Sequence, residues 1–240
     1  MRAERGPRAG QSTPPQVSGP PTKESRVLFA ILVSAIVLSG ISPTSPPTWL
    51  LEEIPLFVGL PILVLTRRRF PLTALAYRLI FVHALLIVVG SHTTYTLQPG
   101  GLWLKDLLDL SRNPYDRLVH FVGGVSSAIL GRELLRRRTP LAPGGWLFFL
   151  VSLGCLGGSA IYELLEWLAA TLTGSEASAF LAIQGDVWDT QWDMLLGLLG
   201  AVTSQVLLGR LHERQLSAIE LGGAAGDTGR GTAACQRQSA

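Results

Sequence analysis

The sequence predicts an all-α membrane protein, a polytopic transmembrane bundle of about six helices with both termini in the cytoplasm. Three observations support this fold class. Hydrophobic residues make up 48% of the 240 residues, and charged residues make up only 15%. The apolar residues form long runs separated by short polar connections, and arginine clusters occur at alternate connections. A soluble domain of this length carries more charge, so the composition argues against that class.

Six apolar runs approach the roughly 20 residues that a helix needs to cross a hydrocarbon layer of about 30 Å. They cover residues 27–42, 49–65, 72–90, 114–135, 145–172 and 190–209, and the first two are short. Prolines separate these first two runs, because proline cannot continue the hydrogen-bond ladder of a helix. An uncleaved first helix is favoured over a signal peptide, since five more runs follow.

The chain is predicted to have one membrane domain flanked by two polar tails. The membrane domain covers residues 27–210. Residues 1–26 and 211–240 lack a periodic apolar face, so we expect them to be disordered tails in the cytoplasm.

The positions of the arginines predict the orientation, because positively charged loops are retained in the cytoplasm. Arginine clusters precede the first run and follow the second, fourth and sixth, whereas the opposite connections contain only Lys105 and Arg112 beside acidic residues such as Glu52 and Glu53. This pattern predicts a multi-pass protein of the bacterial inner (plasma) membrane. We call the arginine-rich end of the bundle the inner end and the opposite end the outer end.

The net charge of +3 does not indicate nucleic-acid binding. The arginines stand in short clusters beside apolar runs rather than along one helix face with interleaved aromatic residues. The predicted partner is therefore the lipid bilayer and not a nucleic acid. The long outer connection, residues 91–113, contains an alternation of apolar and charged residues that predicts a short amphipathic helix at the interface.

Ionisable residues are concentrated in the outer half of three predicted helices. Such residues are costly within a membrane and indicate a function or a partner. Spacings of three, four or seven place them on one face of each helix: Asp116 and His120 on the fourth, Glu163 and Glu166 on the fifth, and Asp186, Asp189 and Asp193 on the sixth.

Small residues continue each of these faces toward the inner end. They are Gly123, Gly124 and Ser127 on the fourth helix, Gly154 and Gly158 on the fifth, and Gly197, Gly200 and Ser204 on the sixth. Small residues allow helices to approach closely in lipid. We therefore expect the three faces to pack together and the ionisable residues to meet in one cavity.

Several carboxylates in one poorly hydrated cavity repel one another unless they are protonated or bridged by a cation. One solution is a divalent metal, with Zn, Mn or Fe suited to oxygen and nitrogen ligands; the predicted ligands are His120, Glu163, Glu166, Asp189 and Asp193. The other is a proton-sharing acid–base set. An inward-turned Arg117 would favour a metal-free pocket for a phosphate or a proton relay.

Simpler explanations exist for some of these residues taken singly. Asp116, Asp186 and Asp189 lie near predicted helix N-termini, where a carboxylate stabilises the helix dipole. Arg78 and Glu133, both toward the inner end, are expected to pair with each other or to extend to the interface.

Three segments carry a resemblance to known proteins: YDRLVHF at 115–121, YELLEW at 162–167 and QGDVWDTQWDM at 184–194. They resemble the YjdF-like family of bacterial inner-membrane proteins, whose function is unknown, over about residues 27–210. More distantly, Asp116 and His120-Phe121 on one helix, and Asp193 seven residues before Gly200, are similar to the VanZ-like membrane proteins, which are linked to glycopeptide resistance. The sequence departs from the VanZ-like pattern at Gly197, where asparagine is expected.

The sequence is compatible with three functions. The first is an enzyme acting at the outer leaflet on a lipid or lipid-linked phosphate, with Asp116 and His120 as catalytic orienter and base. The second is a transporter or binding protein for a cation or small solute. The third is a structural or accessory protein in which the polar cluster holds the helices together. Because no continuous polar path toward the inner end is evident, access from the outside alone is predicted.

Overall fold

The computed structural model describes residues 23–173 and 184–238, and all regular structure within those ranges is helical. This confirms the predicted all-α fold class. The elements, in chain order, are α1 (Lys23–Ser39), α2 (Pro46–Glu52), α3 (Ile54–Thr66), α4 (Ala74–Thr93), a 3₁₀ turn (Tyr95–Leu97), α5 (Pro99–Leu107), α6 (Tyr115–Arg138), α7 (Gly145–Thr173) and α8 (Asp189–Gln238).

Four helices within the described residues are long and apolar enough to cross a membrane: α4, α6, α7 and α8 as far as Ile219. The helices α2 and α3 meet the same criterion only together, as a pair bent by 41°. Helix α1 has 17 residues, at the lower limit for a membrane-spanning helix. The count of six spans and the cytoplasmic position of the termini therefore stay predictions.

Helices α6 and α8 form the centre of the bundle. Helix α7 packs against both, α4 packs against α6, and α1 packs against α4. The α6–α8 contact depends on glycine, because a Cβ atom on Gly124 would overlap the carbonyl group of Gly197. A Cβ atom on Gly200 would likewise overlap the carbonyl group of Phe121. The backbones of α6 and α8 touch, as the small-residue faces predict for these two helices.

The small-residue prediction is wrong for α7. A Cβ atom added to Gly154 or Gly158 would meet no atom of the described residues within 4 Å, so this face is open there. The face of α7 that packs on its neighbours is built from larger side chains at a spacing of four residues, which places them on one side of the helix: Leu147, Val151, Cys155, Ser159 and Glu163. The glycines lie on the other side.

At the inner end, α8 continues beyond residue 210, the boundary predicted for the membrane domain. His212 and Leu216 are buried there, and Gln215 Oε1 accepts a hydrogen bond of 3.0 Å from the Leu75 backbone N–H. Residues 1–22, which make up most of the predicted N-terminal tail, lie outside the described residues. The predicted helix of the outer connection is present as α5, and it exposes Trp103 and Leu107.

Candidate functional site

The outer end of α6 brings a histidine between carboxylates of two helices. Asp116 lies in the first turn of α6, one turn before His120. The Nε2 atom of His120 is 3.6 Å from Asp116 Oδ1 and 3.7 Å from Glu163 Oε1 on α7. The Asp116 and Glu163 residues are buried, and only 10% of the His120 side chain is exposed. The imidazole is therefore held inside the bundle within reach of two acids.

Helix α8 adds Asp193 to this group. One ligand atom each from Asp116, His120 and Asp193 lies within 4.8 Å of the other two, a spacing at which one metal ion can be shared. Asp193 Oδ1 and Glu163 Oε1 are buried and have no hydrogen-bond partner within the described residues. A buried oxygen in that condition is costly, so these atoms would be stabilised by a cation or a hydrogen-bond donor.

Glu166 and Tyr162 form the edge of the cluster, one turn apart on α7. The ring centroids of Tyr162 and His120 are 6.0 Å apart in an edge-to-face arrangement. The Tyr162 hydroxyl lies within reach of the Glu166 carboxylate. Both side chains are partly exposed, so Glu166 lies between the buried acids and the surroundings of the bundle.

Arg112 is a member of the site that the sequence interpretation missed. It lies in the connection between α5 and α6, and only 5% of its side chain is exposed. Its guanidinium group forms a short ion pair with Asp189 and lies 3.6 Å from Asp116 Oδ2. The sequence interpretation assigned Arg112 to an outer connection and took its charge only as evidence on the orientation. Its position four residues before Asp116 was the available signal.

Arg117 pairs with Asp186, the most exposed aspartate of the cluster. Its Nη2 atom lies 2.6 Å from Asp186 Oδ2, and its guanidinium group lies 5.4 Å from the ring centroid of Trp192. The metal-free alternative required Arg117 to turn inward, whereas its side chain contacts Asp186 and Trp192 at the rim. Among the predicted metal ligands, Asp189 is engaged by Arg112. Asp193 lies one helical turn farther inward on α8, and Glu163 lies beside His120.

Asn113 fixes the connection that carries Arg112. Its side-chain amide donates hydrogen bonds to the backbone carbonyls of Thr96 and Gln98, at 3.1 and 3.0 Å. Its Oδ1 atom accepts from the Tyr115 backbone N–H at 3.0 Å, which holds the start of α6. The side-chain amide group of Gln184 makes reciprocal hydrogen bonds with the Asn113 backbone at 2.9 and 3.1 Å. The Arg112 guanidinium is thus held by a hydrogen-bonded scaffold.

Two further carboxylates, also missed, lie at the break between α2 and α3. The sequence interpretation counted Glu52 and Glu53 with the outer connections, but they are 1% and 0% exposed. Glu53 Oε1 accepts a hydrogen bond of 2.7 Å from the Ser91 hydroxyl. The Glu52 carboxylate lies near the Tyr95 backbone and Asp116. Their position inside an apolar run was the signal for burial, because charged residues in a span seldom face lipid.

The fold and the site together define a class: a helical membrane protein with a buried cluster of Asp, Glu and His near one end of its bundle, in which carboxylates outnumber arginines. Residues 24–214 match the family described as "Predicted membrane protein (DUF2238)", and the chain belongs to that family. The inner membrane protein YjdF of Escherichia coli (strain K12) is 45% identical over 185 residues, which cover 77% of this chain and 88% of that protein.

These matches confirm the YjdF-like resemblance and the assignment to the membrane. The more distant resemblance to VanZ-like proteins stays a prediction. No solved structure matches the chain.

Proposed function

We propose that this chain is a cation-dependent enzyme of the bacterial inner membrane, which acts at the outer leaflet on a phosphate group of a lipid or lipid-linked substrate. One observation supports this proposal above the others. Asp116, His120 and Asp193, from two helices that touch along their backbones, offer ligand atoms within 4.8 Å of one another. Glu163 adds a carboxylate oxygen 3.7 Å from the same imidazole.

The chemistry of these donors fits a divalent metal. Ligands about 2 Å from a tetrahedral zinc ion lie about 3.3 Å apart, so small side-chain rotations bring this group into range. Carboxylate oxygen and imidazole nitrogen also suit Mn and Fe. A cation would satisfy the Asp193 and Glu163 oxygens that lack hydrogen-bond partners within the described residues. In this proposal Asp189 holds Arg112 and does not bind the metal.

The residues around the metal ligands have roles in the proposed reaction. A bound cation would polarise a phosphoryl oxygen or lower the pKa of a bound water. Glu166, partly exposed beside Tyr162, is positioned to exchange a proton with that water. The Arg117 side chain is 26% exposed and is held at the rim by Asp186, where a guanidinium group could bind a second phosphate oxygen.

An enzyme is preferred to a transporter because of the packing directly inward of the site. The α6–α8 contact places the backbone of Gly124 against Gly197, and the backbone of Gly200 against Phe121. No room for an ion remains between the two helices at these contacts. This closed α6–α8 seam supports a cation that exchanges with the outside, as an enzyme cofactor or a resident ion does.

Metal analysis of the purified protein tests the cation site. Wild-type protein prepared without chelators is expected to carry about one divalent ion per chain, because a structural set of buried ligands retains its metal. The variants His120→Ala and Asp193→Asn should lose most of it. The matched control is Asp106→Asn, which removes an exposed carboxylate of α5 and should leave the metal content unchanged. If folded wild type and folded variants all carry negligible metal, the metal site is rejected. The proton-sharing acid–base set is then the better explanation of the cluster.

A second experiment tests the reaction. Protein reconstituted in vesicles is given a polyprenyl diphosphate or a phosphatidic acid, and released phosphate is measured. The variant Glu166→Gln should reduce the rate by about 10²-fold, the effect typical of a lost general acid or base, while its metal content stays at the wild-type level. If metal-loaded wild type releases no phosphate from either lipid class, the proposed enzymatic function is rejected. The protein would then be a cation-binding protein.

A further inference from the structure

A polar concavity lies at the other end of the bundle. It is a groove of about 470 Å³ beside α6, α8 and the connection before α7, and we call it the inner groove. Its lining includes Arg132, Gln205, Val206, Arg210, Glu213 and Arg214. None of these residues belongs to the candidate site described above, and the proposed reaction does not use them.

The inner groove is positively charged. Its single acid, Glu213, is already shared by two arginines: Arg132 Nη2 lies 2.6 Å from Glu213 Oε1, and Arg136 Nε lies 3.3 Å from Glu213 Oε2. Arg210 and Arg214 are exposed. They have no ion-pair partner in the part of the chain that the structure describes. The excess positive charge favours an anion.

Two polar side chains of the groove are buried, and one of them is held in place by hydrogen bonds. Arg132 and Gln205 are 7% and 6% exposed. The Gln205 side-chain nitrogen donates to Ser152 Oγ at 2.9 Å and to the Phe148 carbonyl at 3.3 Å, which holds the amide in one orientation. Arg132 Nε and Gln205 Oε1 have no hydrogen-bond partner within the described residues.

These two unpartnered atoms differ in chemistry, and the pair selects a ligand. The Arg132 Nε–H group is a charged donor that suits a phosphate oxygen. Gln205 Oε1 is an acceptor that suits a hydroxyl group. A phosphodiester whose alcohol carries a free hydroxyl, as in a glycerol headgroup, offers a partner to each of these buried atoms once the two side chains turn toward the groove that they line.

The wall of the groove favours a lipid over a soluble phosphate. Val206 and its neighbour Leu207 are 66% and 71% exposed on α8. Along this helix they continue the groove with an apolar surface, on which an acyl chain can lie. A free phosphate ion would gain nothing from that surface.

We propose that the inner groove binds the headgroup of an anionic phospholipid with a hydroxyl-bearing phosphodiester, in the cytoplasmic leaflet according to the predicted orientation. Basic pockets between membrane helices bind such headgroups. The Arg132 and Gln205 side chains contact the phosphodiester and its hydroxyl, while Arg210 and Arg214 supply long-range attraction. The lipid thereby fixes the inner ends of α6 and α8 relative to each other.

Native mass spectrometry of the full chain, released from nanodiscs of equimolar phosphatidylglycerol and phosphatidylcholine, tests this proposal. Wild-type protein should retain phosphatidylglycerol in preference to phosphatidylcholine. The double variant R210Q/R214Q should lose that preference by about tenfold, since each arginine near an anionic lipid surface contributes substantially to binding. Both side chains are exposed, so the fold should persist, which the thermal unfolding midpoint checks.

The matched control is R68Q/R69Q, which removes two exposed arginines after α3 that do not line the groove. It should keep the wild-type preference. Equal losses in both double variants would overturn the groove, because general surface charge would then explain the binding. Inorganic phosphate at millimolar concentration is the second arm. If it displaces the lipid completely from wild type, the ligand is a soluble phosphate and the lipid assignment is wrong.

Discussion

The two ends of the bundle bury carboxylates in different ways. At the inner end, Glu133 is fully buried and accepts hydrogen bonds from four groups. Thr73 contributes its backbone N–H at 3.0 Å and its hydroxyl at 2.8 Å, Arg137 contributes Nη1 at 2.8 Å, and His212 contributes Nε2 at 3.2 Å. At the outer end, Asp193 and Glu163 each keep a buried oxygen without a hydrogen-bond partner among the described residues.

This difference separates a packing role from a ligand-binding role. A buried carboxylate that receives donors on both oxygens holds helices together, as Glu133 does between α4, α6 and α8. A carboxylate that is short of donors raises the free energy of the folded state unless a ligand supplies the missing charge. The structural function considered from the sequence therefore fits the inner network, and ligand binding fits the outer cluster.

The largest effect is expected from the contact on which both ends depend. Gly124→Ala places a methyl group into the Gly197 carbonyl, so α6 and α8 must separate and both clusters open. We expect little folded protein to be recovered after detergent extraction, measured as the monodisperse fraction in size-exclusion chromatography. Gly131→Ala on the same helix is the control, because in the part of the chain that the structure describes its new methyl group meets no other atom within 4 Å. Equal recovery of the two variants would contradict the backbone contact.

The next largest effect should come from the inner network. Glu133→Ala leaves Arg137 and His212 without their shared carboxylate, and removing one partner of a buried ion pair costs about 3–5 kcal/mol of unfolding free energy. Thermal unfolding in detergent measures the loss. Glu24→Gln removes the exposed partner of Arg78 and should shift the midpoint very little. A Glu133→Ala midpoint close to that of Glu24→Gln would mean that the inner network is not structural.

The outer cluster should respond in the opposite direction. Asp193→Asn removes one negative charge from a site that contains too many, so in the presence of a chelator the variant should be more stable than wild type by about 1 kcal/mol. Divalent cation at about 100 times its dissociation constant should stabilise wild type by about 2.7 kcal/mol and leave the variant unchanged. A destabilised Asp193→Asn protein in chelator would assign Asp193 to packing.

Helix geometry explains which parts of the site were predictable. Asp116 and His120 share a face because residues four apart on a helix are neighbours, and the structure brings both beside Glu163 and Asp193. The position of Glu52 inside an apolar run was a signal for its burial, but the run alone does not show which groups it meets beside the bend between α2 and α3.

The choice of ion-pair partners was not predictable either. Arg78 and Glu133 were expected to pair with each other or to extend to the interface, and the expected pairing is wrong. Arg78 Nε lies 2.5 Å from Glu24 Oε1 on α1, and Glu133 is satisfied by other residues. Spacing along the chain fixes neighbours within one helix, whereas partners on different helices follow from packing that periodicity does not encode. The pairing of Arg112 with Asp189 on α8 follows the same rule, although its spacing of four residues from Asp116 was visible in the sequence.

The predicted orientation places the two ends of the bundle on opposite sides of the membrane. Contacts near the first helices support this arrangement. At the inner end, Glu24 of α1 pairs with Arg78 of α4, and Arg137 Nη1 donates to the Pro71 carbonyl at 2.7 Å. At the outer end, the Thr44 backbone N–H donates to the His92 carbonyl at 2.9 Å. The bent pair α2–α3 begins beside His92 and ends shortly before Pro71, so we infer that it crosses the bundle as a broken span.

Cysteine labelling tests this last inference without disturbing either cluster. In a chain whose own cysteines, Cys155 and Cys235, are replaced by alanine, Asp106→Cys on α5 and Arg68→Cys after α3 both introduce exposed thiols. A membrane-impermeant maleimide added to intact spheroplasts should label Asp106→Cys at once, and Arg68→Cys only after permeabilisation. Neither substitution should change the unfolding midpoint, since surface changes of this kind usually alter stability by less than about 0.5 kcal/mol. Immediate labelling of Arg68→Cys would make α2–α3 a re-entrant loop and place the arginine-rich residues 67–69 on the outer side.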